Sequence, residues 1–350
     1  MAKAGVIGLD IGTTHVRAAE VVAGKGGARE GTLVRYGEVA LPHGAVRDGE
    51  VEDQGTVVAA LRRLWAESKF STKDVNIGVG NQRVVVRELE LPWMPLPQLR
   101  ASLPFQVQEM LPMSTDEALL DFCPTGEVDG PHGRMVQGML VAATKDTVRA
   151  NVMAVESAGL RPQLVDLSPF ALLRAVVQGE LMDRTVAVVD IGARITQVVI
   201  SAHGTPRFVR VLPSGGQNVT DAVAGAMNVS GPEAEGIKRE VGIGFAVPTE
   251  RMAAAEAIGN VVRPLVEAVR NTFVYYASNH PGAGIDVVVL TGGGAQLPGL
   301  GQYLASASRL QVSLADPVGA LRIGRSSGVD AARAAGLAAM PLGLAYGVAA

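Results

Sequence analysis

One cysteine, Cys123, stands in 350 residues. No disulfide can close within the chain, which suits a reducing compartment, and a buried apolar thiol is the ordinary role of such a residue. His15, His43, His132, His203 and His280 fall at no metal-ligand spacing, and with a single thiol this disfavours a zinc site. Aromatics make up only 4% of the chain and the net charge is −3. Basic clusters interleaved with aromatics are absent, so nucleic acid is not an expected partner. There is no Gly-x-Ser-x-Gly, which argues against a hydrolase triad, and no Gly-Lys-Ser/Thr after the glycines, which argues against a P-loop. Met1-Ala2-Lys3-Ala4-Gly5 leads into a strand with no apolar region of signal-peptide type. The Ala-rich stretch Ala334–Ala350 is broken by Gly336, Pro341, Gly343 and Gly347, so a docked terminal helix is expected there in place of a membrane span. These absences suggest a cytosolic protein.

What is present is a repeated turn. Gly8-Leu9-Asp10-Ile11-Gly12-Thr13-Thr14 and Val188-Val189-Asp190-Ile191-Gly192-Ala193 each lie between two apolar runs, with the aspartates 180 residues apart. Two related halves facing each other across a cleft would explain the repetition, and 350 residues suffice for two domains. At 48% hydrophobic residues, with few aromatics, the cores are built from Val, Leu, Ile and Ala.

The pattern along the chain is α/β. Strands are expected at Val6–Asp10, His15–Val22 and Val34–Ala40, then a helix at Gly55–Lys69 with Val58, Leu61, Leu64 and Trp65 on one face, then a strand at Val75–Val79. From Val84 to Asp166 the order is β-α-β-β-α-β, read as a compact module of its own: Val84–Leu91, Leu96–Met110, Leu119–Cys123, Met135–Ala142, Lys145–Ser157 and Gln163–Val165. Pro104 should kink or split its first helix, and Gly159 closes its second as a left-handed cap. Ser168-Pro169 starts the next helix as N-cap and first helical residue. After the second hairpin come a strand at Arg207–Leu212, helices at Asn218–Met227, Pro232–Glu240 and Thr249–Ser278, the last kinked at Pro264, a buried strand at Ile285–Leu290 and a helix at Pro298–Ser306. The expected division is 1–83 and 167–183 for the first domain, 84–166 for the inserted module, 184–334 for the second domain, and 335–350 for a terminal helix on the first.

Each candidate site has a physical reason. Gly12 and Gly192 let backbone approach an anion, and Thr13 and Thr14 add hydroxyl donors. Asp10 and Asp190 end strands at the turns, where a carboxylate can hold Mg²⁺ or orient a water at a γ-phosphate. Gly292-Gly293-Gly294 follows a buried strand and permits close approach to a base or sugar. It is not a dinucleotide fingerprint, since Leu297 stands where the third glycine would be. Glu235 and Lys238 share a helix face, as ribose or adenine contacts or as a surface ion pair. Gly215-Gly216 opens the preceding helix and could let it approach a nucleotide. Pro92-Trp93-Met94-Pro95 is an apolar stretch, a packed loop or the border of a partner groove.

In this order the glycine sites resemble those of the actin, sugar kinase and Hsp70 superfamily. Gly8–Arg17 is similar to its first phosphate motif. Val188–Thr196 is similar to the second, with Asp190, Gly192 and Thr196 in the matching places, and Val288–Pro298 to the adenosine motif. Within it the chain resembles the PilM family of type IV pilus assembly proteins, relatives of the division protein FtsA. Leu91-Pro-Trp-Met-Pro, Gln106–Pro112, Leu140-Val-Ala-Ala-Thr-Lys-Asp, Ala158–Arg174, Thr220 and Ala234-Glu235-x-x-Lys238 carry that likeness. The resemblance implies an actin-like, ribonuclease-H-like two-domain fold with an inserted module. It implies bound ATP or ADP with Mg²⁺ at Asp10 and Asp190. Asp10 and Asp190 would also be the catalytic residues of a slow Mg-dependent ATP hydrolysis. The nucleotide would contact Gly12, Thr13, Thr14, Arg17, Gly192, Ala193, Thr196, Gly215, Gly216, Glu235, Lys238 and Gly292 to Gly294, with Arg17 where actin has lysine. It also implies a partner, the N-terminal cytosolic tail of the inner-membrane protein PilN. The tail would lie in a groove between first domain and module, with further platform components and self-association open. The protein would then sit at the cytosolic face of the membrane through that partner. A small-molecule kinase and an FtsA-like membrane anchor are the alternatives. The first lacks an extra acidic motif here. The second lacks a C-terminal amphipathic helix with cations and bulky apolar residues.

Overall fold

The computed structural model describes residues 5–24, 27–131, 133–324 and 336–347. His132, and residues 335 and 348–350 of the expected terminal segment, lie outside the described residues.

The chain begins with an antiparallel meander of β1 (Val6–Ile11), β2 (His15–Gly24) and β3 (Gly27–Ala40). A small ribbon, β4 (Val46–Arg47) with β5 (Glu50–Val51), leads into α1 (Gln54–Ser68). Asp53 caps α1 by accepting from the Thr56 N–H at 3.0 Å. Its buried face is Val57, Ala60, Leu61 and Leu64, so Val57 and not Val58 meets the core. β6 (Asp74–Val79) then joins parallel to β1.

Next come β7 (Val84–Pro92), α2 (Leu96–Gln106), β8 (Ala118–Gly130), β9 (Gly133–Thr144), α3 (Lys145–Ser157) and β10 (Arg161–Leu167). The element order is the expected one, but these six do not form a compact module. β7, β9 and β8 make a separate three-stranded sheet with α2 on it, closed by Leu99, Leu103, Phe122 and Leu140. α3 lies against α1, and β10 pairs parallel with β6 at the edge of the first sheet. The insertion proper is therefore β7-α2-β8-β9. Val84 and Ala143 are register partners, so it leaves and re-enters the core through neighbouring strands. α2 holds Pro104 in its last turn and stops two residues later, where a 3₁₀ turn at Gln108–Met110 takes over.

α4 (Ser168–Val176) starts one residue earlier than expected, with Leu167 as N-cap. The second half follows: β11 (Thr185–Ile191), β12 (Thr196–Ala202), β13 (Thr205–Leu212), α5 (Gly216–Met227), α6 (Gly231–Val241) and α7 (Met252–Asn279), which runs on through Pro264. It closes with β14 (Val287–Thr291), α8 (Leu300–Ser308) and β15 (Gln311–Leu314), before β16 (Arg322–Ile323) returns to the edge of the first sheet and α9 (Ala339–Ala345) ends the described chain.

The two large sheets are copies. One reads β10-β6-β1-β2-β3 and the other β15-β14-β11-β12-β13, each an antiparallel meander with two parallel strands added beside its first. β11 is apolar on both faces because both are covered. Ala187 and Val189 face the α5–α7 core, while Val186 and Val188 face a layer shared by the two halves. That shared layer is α4 and α9. α9 rests on β1 and β2, and Leu342 and Leu344 are fully buried. Buried Asn76 of β6 donates to the Leu344 carbonyl at 3.0 Å, tying the end of α9 to the first sheet.

Candidate functional site

The two Asp-Ile-Gly turns have the same backbone closure. The Gly12 N–H donates to the His15 carbonyl and the Gly192 N–H to the Ile195 carbonyl, both at 3.0 Å. Asp10 stands opposite Arg17 in the β1–β2 register, and Asp190 opposite Gln197 in the β11–β12 register. Cross-strand partners share a sheet face, so each aspartate has a polar neighbour seven residues on.

The aspartates face each other closely enough for the charge of Asp10 to act on Asp190. Burial pushes Asp10 up to about 6, opposed by Arg17. Burial pushes Asp190 up to about 7, helped by the negative charge of Asp10 and opposed by Arg17. The pair with one cation is short of positive charge, which a divalent cation would supply. Among the described residues no group of three or more His, Cys, Asp or Glu side chains could hold a metal. A cation held here would have at most these two carboxylates from the described residues and would need its other ligands from outside the protein. Arg17 itself is held by Glu38 at 3.3 Å. Thr13 and Thr14 sit half-buried in the first turn, with Thr14 Oγ1 3.1 Å from His15 Nδ1.

Three loops meet beside Asp190. The Gly216 N–H donates to the Gly192 carbonyl at 2.9 Å and the Gln217 N–H to the Ala193 carbonyl at 2.8 Å, so the second turn is clamped to the start of α5. Gly292 has φ +85°, and a Cβ there would lie 2.5 Å from Asp190 Oδ1. A Cβ on Gly294 would lie 2.4 Å from the Ile191 side chain. Only glycine fits these places, and Gly293 lies between them. Next to this junction is a cavity of about 180 Å³ bounded by Gly215, Gly216, Gly293 and Gly294 on one side and Glu235, Lys238 and Arg239 on another, with Val219, Val262 and Leu265 as apolar wall. Pockets for drug-sized ligands run roughly 300–1,000 Å³. This one is smaller, of a size for a planar ring system.

Lys238 is buried and donates to the Gly216 carbonyl at 3.2 Å and to Thr220 Oγ1 at 3.0 Å, while Thr220 donates to Glu235 Oε2 at 2.6 Å. Burial raises the Glu235 carboxyl, but hydrogen bonds from Lys238, Thr220 and Arg239 outweigh it and hold the group below its usual value. The pair is thus part of a network that fixes α6 to the start of α5, and more than a surface ion pair.

Thr196 is fully buried and donates to the Ser214 carbonyl at 2.8 Å, which fixes the chain leading to α5. The sequence reading missed Gln197. It is buried and donates to the Gly80 carbonyl of the first half at 3.2 Å, and its Oε1 is buried without a partner. Superposing the two copies of the motif on their aspartates places Gln197 on Arg17, and that signal was available in the sequence. Arg194 in the second turn pairs with Asp221 at 2.6 Å and reaches His43 of the first half at 3.4 Å.

Among the described residues no helix is long and apolar enough to cross a membrane. Comparison with known proteins bears on the fold and the family. A solved structure titled as the PilM-PilN type IV pilus biogenesis complex is 26% identical, with TM-score 0.83 over 97% of each chain. The MreB5 structure of Spiroplasma citri bound to AMPPNP is 14% identical, with TM-score 0.53 over 89% of this chain and 91% of that one, and shares the actin-like fold. The cell division protein FtsA of Bacillus subtilis is 21% identical over 67% of this chain, which spans only 58% of that protein's length. The family profile described as type IV pilus assembly protein PilM matches residues 8–349. An actin-like α/β protein with a duplicated Asp-Ile-Gly turn, an insertion after β6 and a profile match over nearly its whole length, the chain belongs to the type IV pilus assembly protein PilM family.

Proposed function

We propose that the chain is an ATP-binding scaffold of the type IV pilus assembly platform, peripheral to the cytosolic face of the membrane through the N-terminal cytosolic tail of a PilN-like protein. The observation that carries the nucleotide half is the facing pair Asp10 and Asp190 beside glycine-lined loops and a base-sized cavity. MreB5, with the same fold, was solved with AMPPNP. Bound Mg²⁺ would neutralise phosphate charge and relieve the repulsion between the two carboxylates. The residues of this chain do the rest. Asp10 and Asp190 hold the cation, and Gly12, Thr13, Thr14, Gly192 and Ala193 line the phosphates' place. Arg17 adds a fork of donors, Glu235 and Lys238 border the sugar, and Gly292 to Gly294 cover the base. Turnover, if Asp190 orients water, is slow. Thr196 acts indirectly, by holding the second turn.

The tail-docking half rests on likeness to a chain solved in a PilM-PilN complex. In this reading the tail lies between the first sheet and the inserted one, and nucleotide state alters its affinity by favouring one closure of the cleft. The test is calorimetric titration of the PilN tail peptide from the same organism, with Mg-ATP present. Saturable one-to-one binding that weakens without nucleotide supports the reading. ATP binding with no heat from the tail removes the docking role and leaves the nucleotide site. A small-molecule kinase would need a further acid beside the pair to take the acceptor's proton.

A further inference from the structure

The second turn carries a cation that the functional reading above leaves unused. Superposing the two motifs on their aspartates puts Arg194 on Thr14, each four residues past its aspartate. The first half has a hydroxyl at that place and the second a guanidinium. Arg194 is half-buried, and its Nη2 pairs with Oδ2 of Asp221 on α5 at 2.6 Å. The same nitrogen lies 3.4 Å from Nε2 of His43 in the first half. His43 follows Leu41, whose N–H donates to the Thr14 carbonyl at 2.8 Å, so the loop that Arg194 reaches is fastened to the first turn. The side chain therefore crosses from one Asp-Ile-Gly turn to the surroundings of the other. Both contacts use Nη2, which leaves the Nε and Nη1 donors for an anion between the turns.

The turn also sets which anion that is. Gly192 is bonded to Gly216, Ala193 to Gln217, and Arg194 to Asp221 one helical turn further along α5. Gly216 lines the cavity beside the glycine loops, whereas Gln217 and Asp221 do not. Each step along the turn thus leads away from the cavity, and Arg194 stands at the remote end. With a base in the cavity and phosphates running toward the first turn, the group nearest Arg194 is the last phosphate.

We propose that Arg194 is a phosphate-binding residue of the cleft, gripping the terminal phosphate of a nucleoside triphosphate and contributing nothing to a diphosphate. The proposal rests on reading the cleft as a nucleotide site, and it adds the residue that tells the two nucleotides apart. Arg194 can be drawn to such a group at little cost. Asp221 is exposed and keeps a hydrogen bond from Gln217 Nε2 at 2.9 Å, and an ion pair of this kind is worth about 1 kcal/mol or less. A guanidinium on a phosphate makes stronger, charge-assisted bonds, two at once where its fork meets two oxygens. Arg17 is held by Glu38 at 3.3 Å and already opposes the charge of two buried carboxylates. A further phosphate calls for a second cation, and Arg194 is the one that the second turn provides.

The test is calorimetric titration of the full chain with Mg-ATP and with Mg-ADP, on the native protein and on variants checked for folding by circular dichroism. Arg194→Ala should weaken Mg-ATP about ten-fold, the worth of one charge-assisted contact, and leave Mg-ADP unchanged. Arg194→Lys should recover part of the loss. Asp221→Asn removes the anion that competes for Arg194, so it should tighten Mg-ATP, the opposite of what losing a structural tie would do. That variant also serves if Arg194→Ala does not fold. Equal losses for both nucleotides in Arg194→Ala, no loss for either, or weaker Mg-ATP binding in Asp221→Asn overturns the role of Arg194 and leaves the nucleotide site standing. A native chain that binds neither nucleotide overturns the reading of the cleft, and the proposal falls with it.

Discussion

The two hairpins of this protein are the same device built twice, and their differences are more informative than their likeness. Backbone closure, the strand-ending aspartate and the glycine are kept in both. The glycines sit in close quarters: a Cβ on Gly192 would lie 2.9 Å from the Ile195 carbonyl oxygen, and one on Gly12, less tightly, 3.1 Å from that of His15. What differs is the residue opposite the aspartate. The first half puts Arg17 there and anchors it to Glu38. The second puts a neutral amide, Gln197, and spends it on the carbonyl of Gly80 across the domain boundary. One copy supplies charge and the other a tie between halves. Burial pushes both carboxyls up, and the charge of Arg17 opposes it at each.

The asymmetry can be broken. The largest effect is expected from Asp190→Asn, which should weaken Mg-ATP binding at least about 100-fold, roughly 2.7 kcal/mol. Asp10→Asn should cost less, since Arg17 remains beside the site. Calorimetry on both folded variants decides it, and equal losses would mean that the halves serve the cation alike. Next, Gly292→Ala should destabilise the fold by about 2 kcal/mol, because φ +85° and a contact of 2.5 Å with Asp190 Oδ1 both exclude a side chain. Gly12→Ala meets nothing closer than 3.1 Å and should cost under about 1 kcal/mol in the same denaturant titration. Arg17→Gln should push both carboxyls further up, because the Arg17 charge opposes burial at each, read by carboxyl-resolved NMR. Unchanged titration would place the cause in burial alone.

The smallest effect is on the ligand-free protein. Burial pushes both carboxyls above the ordinary carboxylate range in the folded chain, to about 6 and about 7. The folded chain then holds more protons than the unfolded one across that window, so stability should fall as pH rises from about 4 to about 7. Asp190→Asn should flatten the slope in urea titrations, and Mg-ATP should flatten it in the native chain. A slope that survives the substitution would assign the pH dependence elsewhere.

Much of this was legible in the sequence, for definite reasons. The turns announce themselves because aspartate, glycine and flanking β-branched runs are all required locally. The glycine triplet after β14 is legible for the same reason. The fate of α3 and β10 was not legible, because their periodicity says helix and strand but not which sheet the strand joins. That is settled by β10 pairing with β6, far away in sequence. The motif places a hydroxyl at Thr196, but its bond to the Ser214 carbonyl, 18 residues on, could not be read from the spacing. Glu235 and Lys238 looked weak as an i, i+3 pair. Their weight comes from Thr220 and the Gly216 carbonyl, on another helix.

The insertion occupies a telling place. In the second half the chain passes from β14 through the glycine loop to α8 and β15. In the first half it passes from the equivalent β6 through β7-α2-β8-β9 to α3 and β10. The same slot in the duplicated plan is thus a tight loop in one copy and a sheet of its own in the other. Because Val84 and Ala143 pair side by side, the insertion enters and exits at a single doorway. Such an arrangement behaves as an exchangeable cassette. A change in the length or sequence of what is carried there leaves the register of the core strands, and the two hairpins, untouched.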